Sequence, residues 1–313
     1  MSICMPAFNA GKYIIEAVNS IISQTYTNWE LIIVNDGSTD NTATELNKIT
    51  DSRVKVYHQN NKGQCAAANR AFELSAGELI KFMDADDMIS PNHLSEQVKV
   101  LHHSKNVIVR AQWGRFYKDD VTTFNLVTES PISGTKPFEW LVAAMTDKEI
   151  MLQCALWLIP REVLTKSGGW NEELSLINDF EFFIRVLLHA DEIRSANDAI
   201  VYYRSSIAGS LSATNTLEGA WSAYQSVNQG VQYLLNKEDS ERTKKVAADC
   251  FQRLVYTFYP LHKQVVLKAE QKVKELGGSD VSFPSGGYTK ILSRFMGWKN
   301  TKKLKSAIKK NNG

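Results

Sequence analysis

The stretch ELIKFMDADDMISP spans residues 78–91 of a 313-residue chain. Glu78–Met83 is an apolar, β-rich run, and Asp84, Asp86 and Asp87 crowd together behind it before Ser90-Pro91 gives a fresh start. A buried strand that ends in carboxylates predicts a sheet whose rim carries the chemistry.

The residues on either side extend that pattern. Strands are expected over Ser2–Met5, Trp29–Asn35, Val54–His58 and Glu78–Met83, with helices over Lys12–Ser23, Thr39–Ile49, Gln64–Leu74 and Pro91–His102. Near-continuous apolar strands alternating with helices predict an α/β fold with a mostly parallel central sheet covered on both faces. Such sheets bind ligands beyond the carboxyl ends of their strands. PAFNAG (6–11), NDGSTD (35–40) and DADD (84–87) all fall there. Asp36-Gly37-Ser38 predicts a sharp turn, with Ser38 or Thr39 capping the helix that follows.

Past Val107 the pattern changes. Strands over Val107–Lys118, Ala155–Ile159 and Ala199–Arg204, and helices over Pro137–Met145 and Asp179–His189, are expected to extend the sheet and cover the cleft. Beyond about residue 212 the periodicity is helical, over Glu218–Leu235 and Ser240–Leu276. Gly277-Gly278-Ser279 and Pro284-Ser285-Gly286-Gly287 then break the chain. The expected division is 1–104 and 105–212 as two halves of one domain, 213–280 as a helical region, and 281–313 as a tail.

Composition narrows the function class. Hydrophobic residues make up 43% and charged residues 22%, ordinary values for a globular protein. The sequence has no long apolar run and no charged-then-apolar N-terminal segment, so neither a membrane span nor secretion is indicated and the cytoplasm is expected. Cys4, Cys65, Cys154 and Cys250 lack zinc or redox spacing and are expected to be reduced and buried. The histidines are scattered, and His102-His103 reads as a solvated pair on a helix end. Residues 281–313 hold eight of the 36 Lys/Arg and none of the 34 Asp/Glu, so the first 280 residues carry 28 against 34, a net charge of −6.

Asp84 and Asp86 lie two apart, so in extended geometry they project to one side. Two carboxylates about 6 Å apart repel by roughly 3 kcal/mol at an effective dielectric near 20. Protonation, separation or a cation relieves that conflict, and hard oxygen ligands suit Mg²⁺ or Mn²⁺. The alternative without chemistry is that Asp86 and Asp87 start a helix, favoured by its dipole, with Asp84 in a solvated turn.

Together, PAFNAGKYIIEAVNSIISQTYTNWELIIVNDGSTDNT (6–42) and NNKGQCAAANRAFELSAGELIKFMDADD (60–87) resemble the nucleotide-sugar-binding half of family 2 glycosyltransferases, which have the GT-A fold. The resemblance covers about residues 2–100 closely and 150–212 more loosely, and leaves out the last hundred. It implies that Asp84-Ala85-Asp86 is the family's DxD motif, with Asp86 and Asp84 holding a divalent cation, Mn²⁺ or Mg²⁺. It also implies that Pro6, Ala7, Asn9 and Asp36 surround the nucleobase and ribose. A carboxylate such as Asp36 can accept the imide N–H of uracil; Asn9 also reads as a plain turn residue. Lys62 and Arg70 are expected near the pyrophosphate or base, with Asn69 orienting their loop; otherwise both cations are simply solvated.

Sugar transfer also needs a base for the acceptor hydroxyl. Opposite-face attack by that hydroxyl inverts the anomeric centre. In GGWNEELSLINDFEFFIRVL (168–187), Phe180, Phe183, Ile184 and Leu187 form an apolar stripe that would hold a helix start rigidly. The resemblance places the general base at Asp179, in a motif usually written with two acids; here Asn178 takes the first position. A capping box of Asn178 and Glu181 accounts for those two residues without catalysis. Glu181 and Arg185 also form an i,i+4 pair. In VYYRSSIAGSLS (201–212), Ser205 and Ser206 stand where relatives often carry a histidine, and Arg204 and Ser210 are candidates to touch phosphate or acceptor; Arg204 reads equally as an ion-pair partner. Trp113, Trp157 and Trp170 read as core before sugar platforms.

Residues 288–310 mix Ile291, Leu292, Phe295 and Met296 with basic side chains. That suits a helix lying on an anionic leaflet; a soluble tail or a helix docked on the protein is the alternative, and nucleic acid is not the expected partner. The expectation is a metal-dependent, inverting glycosyltransferase using a nucleotide sugar, a UDP-sugar by preference. Its acceptor would be a saccharide or lipid-linked saccharide in surface polysaccharide synthesis, reached from the inner face of the membrane. A catalytically silent nucleotide-sugar-binding scaffold and a nucleotidyltransferase are the rivals.

Overall fold

The computed structural model describes residues 1–127, 134–146, 150–207 and 216–311. Its first half contains β1 (Ser2–Ala7), α1 (Ile14–Ile22), β2 (Glu30–Asp36), α2 (Thr42–Leu46), β3 (Val54–Gln59), α3 (Gln64–Glu73), β4 (Leu79–Phe82), β5 (Met88–Ile89) and α4 (His93–Leu101). β1 and β2 are buried on both faces, and α1 buries Ile14, Ala17, Val18 and Ile21 as one stripe beneath polar surface residues. Each such large aliphatic side chain contributes about 1.5–3 kcal/mol by leaving water. β3, β2, β1 and β4 pair in parallel in that order.

The second half adds β6 (Val107–Tyr117), β7 (Asp120–Leu126), α5 (Pro137–Met145), a 3₁₀ turn at Cys154–Leu156, β8 (Trp157–Pro160), α6 (Arg161–Ser167), α7 (Asn178–Leu187) and β9 (Glu192–Ser205). β8 joins the two halves, antiparallel to both β4 and β6, while β6 and β9 run parallel. The parallel expectation therefore describes the first four strands, and the rest of the nine-stranded sheet is mixed. Lys81 on β4 is fully buried, donates to Gln97 Oε1 at 3.0 Å and to the Ala155 carbonyl, and is pushed down to about 7 by burial. It ties β4 to the start of β8.

Several expected boundaries move for local reasons. β5, β7 and α6 add to the expected elements: β5 is two residues long, and β7 is nearly all exposed, without an apolar face to betray it. The strand expected from Ala155 starts at Trp157 because Gln153 Oε1 accepts the Ala155 N–H and holds a 3₁₀ turn. β9 begins at Glu192, seven residues early, pairing with β6 through a bulge opposite Ala111-Gln112. α2 starts at Thr42, and its first N–H is held by Asp40 Oδ1 at 2.9 Å. The expected caps do otherwise: Ser38 Oγ accepts the Asn9 N–H, and the Thr39 hydroxyl donates to Asn9 Oδ1.

The C-terminal helices are α8 (Leu217–Lys237), α9 (Glu241–Phe258), α10 (Lys263–Glu275) and α11 (Tyr288–Asn311). The single segment expected over 240–276 divides at Pro260, which has no N–H to continue the ladder. α8 lies directly on α7, and Gly230 makes that possible: a Cβ there would stand 2.8 Å from Phe180. α11 breaks at Gly297, where φ is 76°. Beyond the break Trp298 packs on Tyr256, Tyr259 and Phe283, and Lys302 donates to the Tyr256 and Thr257 carbonyls. This second half of the tail is docked on the protein. Before the break Tyr288, Ile291, Phe295 and Met296 remain exposed. No helix among the described residues is long and apolar enough to cross a membrane.

Candidate active site

The strand ends open onto one cleft of about 1590 Å³. Pro6, Ala7, Asn9, Asp36, Lys62, Asp84, Ala85, Asp86, Asp179 and Arg204 all line it; Asn69 and Arg70 do not. Asn69 accepts the Trp170 N–H at 2.7 Å and donates to the Trp170 carbonyl at 2.9 Å, so it orients the 169–172 loop. Arg70 donates to the His58 carbonyl and Gln59 Oε1 behind the cleft wall.

Asp84–Asp87 form a turn between β4 and β5. That excludes the helix-start reading, since α4 opens only at His93. Oxygens of Asp84, Asp86 and Asp87 lie within 4.8 Å of one another. Asp87, a member of the cluster with no expected site role, is the most tightly held of the three. Its carboxylate accepts Gln153 Nε2 at 2.7 Å and the Arg204 N–H at 2.8 Å. Asp84 accepts Gln64 Nε2 at 2.9 Å and Gln153 Nε2 at 3.2 Å. Asp86 has no donor from another residue on its carboxylate among the described residues; its carbonyl accepts Arg204 Nε at 2.8 Å.

Electrostatics follow from this crowding. Burial, and then Asp84, push Asp86 up to about 7. Burial raises Asp84 as well, and burial together with both neighbours raises Asp87 well above the carboxylate range. A group of hard oxygen donors whose ionised form is this costly fits a divalent cation.

Asp36 is placed at the end of β2 but its carboxylate is already engaged. It accepts Gln59 Nε2 at 2.7 Å and the N–H groups of Lys62 at 2.9 Å and Gly63 at 2.8 Å, pinning the 59–63 loop. Asn9, at φ 51°, accepts the Thr39 N–H through its side chain at 2.8 Å. Arg204 is almost fully buried and joins Glu16 Oε2 at 2.6 Å and Asp119 Oδ1 at 3.1 Å. Asp119 sits at the tip of the β6–β7 hairpin, whose two turn residues, Lys118 and Asp119, both have positive φ. Lys12 also pairs with Asp119, so the hairpin tip closes one side of the cleft. Ser210 lies outside the described residues.

The start of α7 departs from the capping-box expectation. Ile177, with φ 60°, precedes the helix, and Asn178 makes no cap bond. The cap comes instead from α8, where Ser226 Oγ accepts the Glu181 N–H at 3.1 Å and donates to the Ile177 carbonyl at 2.6 Å. This leaves Asn178 able to donate to Gln64 Oε1 at 3.1 Å and Cys65 Sγ at 3.3 Å. Gln64 thus bridges α7 to Asp84, through a bond that an ionised acid at position 178 could not donate. Asp179 faces the cleft one residue on, and burial, and then Asp84, push it up to about 6. Glu181 turns away to Arg185 at 2.6 Å and Tyr233 at 3.0 Å. Trp170 stacks on Phe182 at 3.8 Å and forms cleft floor and core together. Trp113 and Trp157 are buried.

Gln64, Gln153 and Glu16 join the site without any signal in the sequence, because a glutamine near a loop or a glutamate on a helix has no spacing pattern of its own.

Residues 2–166 match the family described as Glycosyl transferase family 2. Among curated proteins, the chain is 29% identical over 220 residues to the glycosyltransferase GlyG of Streptococcus pneumoniae, covering 65% of this chain and 70% of that one. It is 37% identical over 102 residues to the Escherichia coli protein WfgD, named as a UDP-Glc:alpha-D-GlcNAc-diphosphoundecaprenol beta-1,3-glucosyltransferase, covering 32% of this chain and 40% of that one. The chain spans less than half the length of several such relatives. Among solved structures, S. aureus TarS 1–349 in complex with UDP-GlcNAc superposes with a TM-score of 0.62 at 17% identity, over 91% of this chain and 97% of that one. The fold is the GT-A fold of those structures, with a C-terminal helical region present.

Proposed function

Because the chain belongs to glycosyl transferase family 2, we propose that it transfers a sugar from a UDP-sugar to a lipid-linked saccharide, with inversion, in surface polysaccharide synthesis. The observation that carries this reading is the convergence of Asp84, Asp86 and Asp179 on one cleft at the strand ends. WfgD, whose name gives a UDP-sugar donor and a diphospholipid acceptor, supports both choices of substrate.

In this reading the donor's nucleoside lies along Pro6, Ala7 and Asn9, and main-chain groups read the base, since Asp36 is occupied by its own loop. Lys62 faces the cleft and supplies positive charge beside the diphosphate. Asp86 and Asp84 hold Mn²⁺ or Mg²⁺, which when bound supplies Lewis-acid stabilisation of the leaving diphosphate. Asp179 takes the proton from the acceptor hydroxyl as the new C1–O bond forms and the C1–O bond to phosphate breaks. A carboxylate raised to about 6 is ionised at neutral pH yet more basic than an ordinary aspartate, which suits a general base. Tyr288, Ile291 and Phe295, set among Lys290 and Arg294, form the face that would rest on an anionic inner leaflet.

The test follows released UDP from wild type and Asp179→Asn across a panel of UDP-sugars with a lipid-linked acceptor. Turnover that drops by roughly a hundredfold or more while UDP affinity holds is expected for a lost base. Unchanged turnover removes the base assignment, and a wild type that binds UDP but turns over no donor favours the silent scaffold. Sedimentation with phosphatidylglycerol vesicles, lost in Phe295→Glu, tests the membrane face.

A further inference from the structure

The cleft continues past the acids. Beyond Asp179 it runs along α9, lined by Phe180, Val227, Leu254 and Phe258 together with Arg253 and Thr257. Its volume of about 1590 Å³ exceeds the ~300–1,000 Å³ typical of a site for one small ligand. There is room for a second molecule beside a donor.

One group in this arm lacks a partner. Arg253 Nη2 is buried and makes no hydrogen bond, and no ion pair of Arg253 exists among the described residues. A buried donor left unmet is costly, more so on a charged group. Arg253 as a whole is only part-buried and lines the arm without an ion-pair partner among the described residues, so its guanidinium can turn to an acceptor that arrives with a ligand, for which the best match is a phosphate or diphosphate oxygen. The neighbouring walls are apolar. Residues 253, 254, 257 and 258 share one face of α9, whereas Tyr256, on another face, carries Trp298 of the docked tail. The helix that presents Arg253 to the cleft therefore also anchors the segment whose exposed half displays Tyr288, Ile291 and Phe295.

We propose that this distal arm binds an amphiphilic phosphate ester, with Arg253 donating to the phosphate and Val227, Leu254 and Phe258 covering the first carbons of its hydrocarbon chain. It rests on the reading of the cleft as a transfer site, and assigns the acceptor's phosphate to a residue of the C-terminal helices.

The experiment titrates the full chain, saturated with UDP, with geranyl phosphate, inorganic phosphate and geraniol, by calorimetry. Geranyl phosphate binds wild type roughly tenfold or more tightly than either fragment probe, as a charged hydrogen bond plus apolar burial requires. Arg253→Met brings geranyl phosphate down to the level of geraniol, Arg253→Lys retains part of the preference, and the UDP affinity of each variant reports an intact fold. Equal binding of the three probes, an unchanged affinity in Arg253→Met, or displacement of geranyl phosphate by UDP overturns the proposal. Inorganic phosphate binding as tightly as geranyl phosphate would make Arg253 a site for the free anion and overturn the amphiphile. A protein that binds no UDP would instead bring down the donor reading, and geranyl phosphate binding would still be measurable.

Discussion

Replacing Asp86 by asparagine should make the metal-free protein more stable at alkaline pH. In the folded chain burial and Asp84 move this carboxylate from 3.8 to about 7, so keeping it ionised at pH 8 costs about 4 kcal/mol at 1.36 kcal/mol per pH unit. The folded value lies above the unfolded one. The stability this group contributes is therefore complete below pH 3.8 and is lost as pH rises through about 7. An amide cannot ionise, so the Asp86→Asn variant escapes that loss. Urea denaturation in EDTA at several pH values between 4 and 8 measures the difference. Wild type should fall behind Asp86→Asn by up to about 4 kcal/mol as pH rises from 4 to 8. Mn²⁺ at pH 8 should reverse the order, because it stabilises a carboxylate site and gains little from an amide. Parallel pH profiles for the two proteins, or wild type the more stable at pH 8 in EDTA, would refute the desolvated cluster.

Other expectations are equally direct. Gln153→Ala removes the donor shared by Asp84 and Asp87, and Mn²⁺ affinity should weaken roughly 10- to 100-fold by calorimetric titration; an unchanged affinity would mean that the turn holds its shape alone. Arg204→Met breaks its links to Glu16, Asp119 and the Asp86 carbonyl. The urea midpoint should report a loss of about 2–3 kcal/mol, below the usual cost of breaking a buried pair because Glu16 and Asp119 are partly in water. Trp298→Ala should cost about 2–3 kcal/mol for a half-buried aromatic and expose the tail from Lys299 onward to trypsin; equal resistance to cleavage would show that Lys302 and Thr301 suffice to dock it.

Where the sequence spoke through burial, it was legible. β1 and β2 are apolar runs bounded by turn residues, and α1 repeats its apolar positions at helical spacing, so their boundaries fall within two residues of expectation. β7 is nearly all exposed, and the first part of β9 buries only Ile193 and Ala196 among polar neighbours; both are satisfied by pairing, which leaves little hydrophobic trace. The acids were visible because carboxylates behind a buried strand need an explanation. Their supporting shell was not: Gln64 and Gln153 reach the cluster from 20 or more residues away in sequence. Asn178 shows the same limit. Its spacing to Glu181 satisfied a capping rule, yet the acceptor came from Ser226 on a helix packed across it. Asp36 lies at the end of β2 on the cleft, but its oxygens are taken by Gln59, Lys62 and Gly63, partners that no spacing in the sequence signals.

Gly230 has a reach its size conceals. The absence of one methyl group lets α8 settle against Phe180, the residue immediately after Asp179, and Ser226 one turn earlier holds the backbone on either side of that acid. How far Asp179 leans into the cleft is therefore metered by a helix crossing remote from it in sequence. Drift in the C-terminal helices, which lie beyond the residues 2–166 matched by the family, can retune the spacing between Asp179 and the Asp84–Asp87 turn without altering a single residue of the sheet's rim.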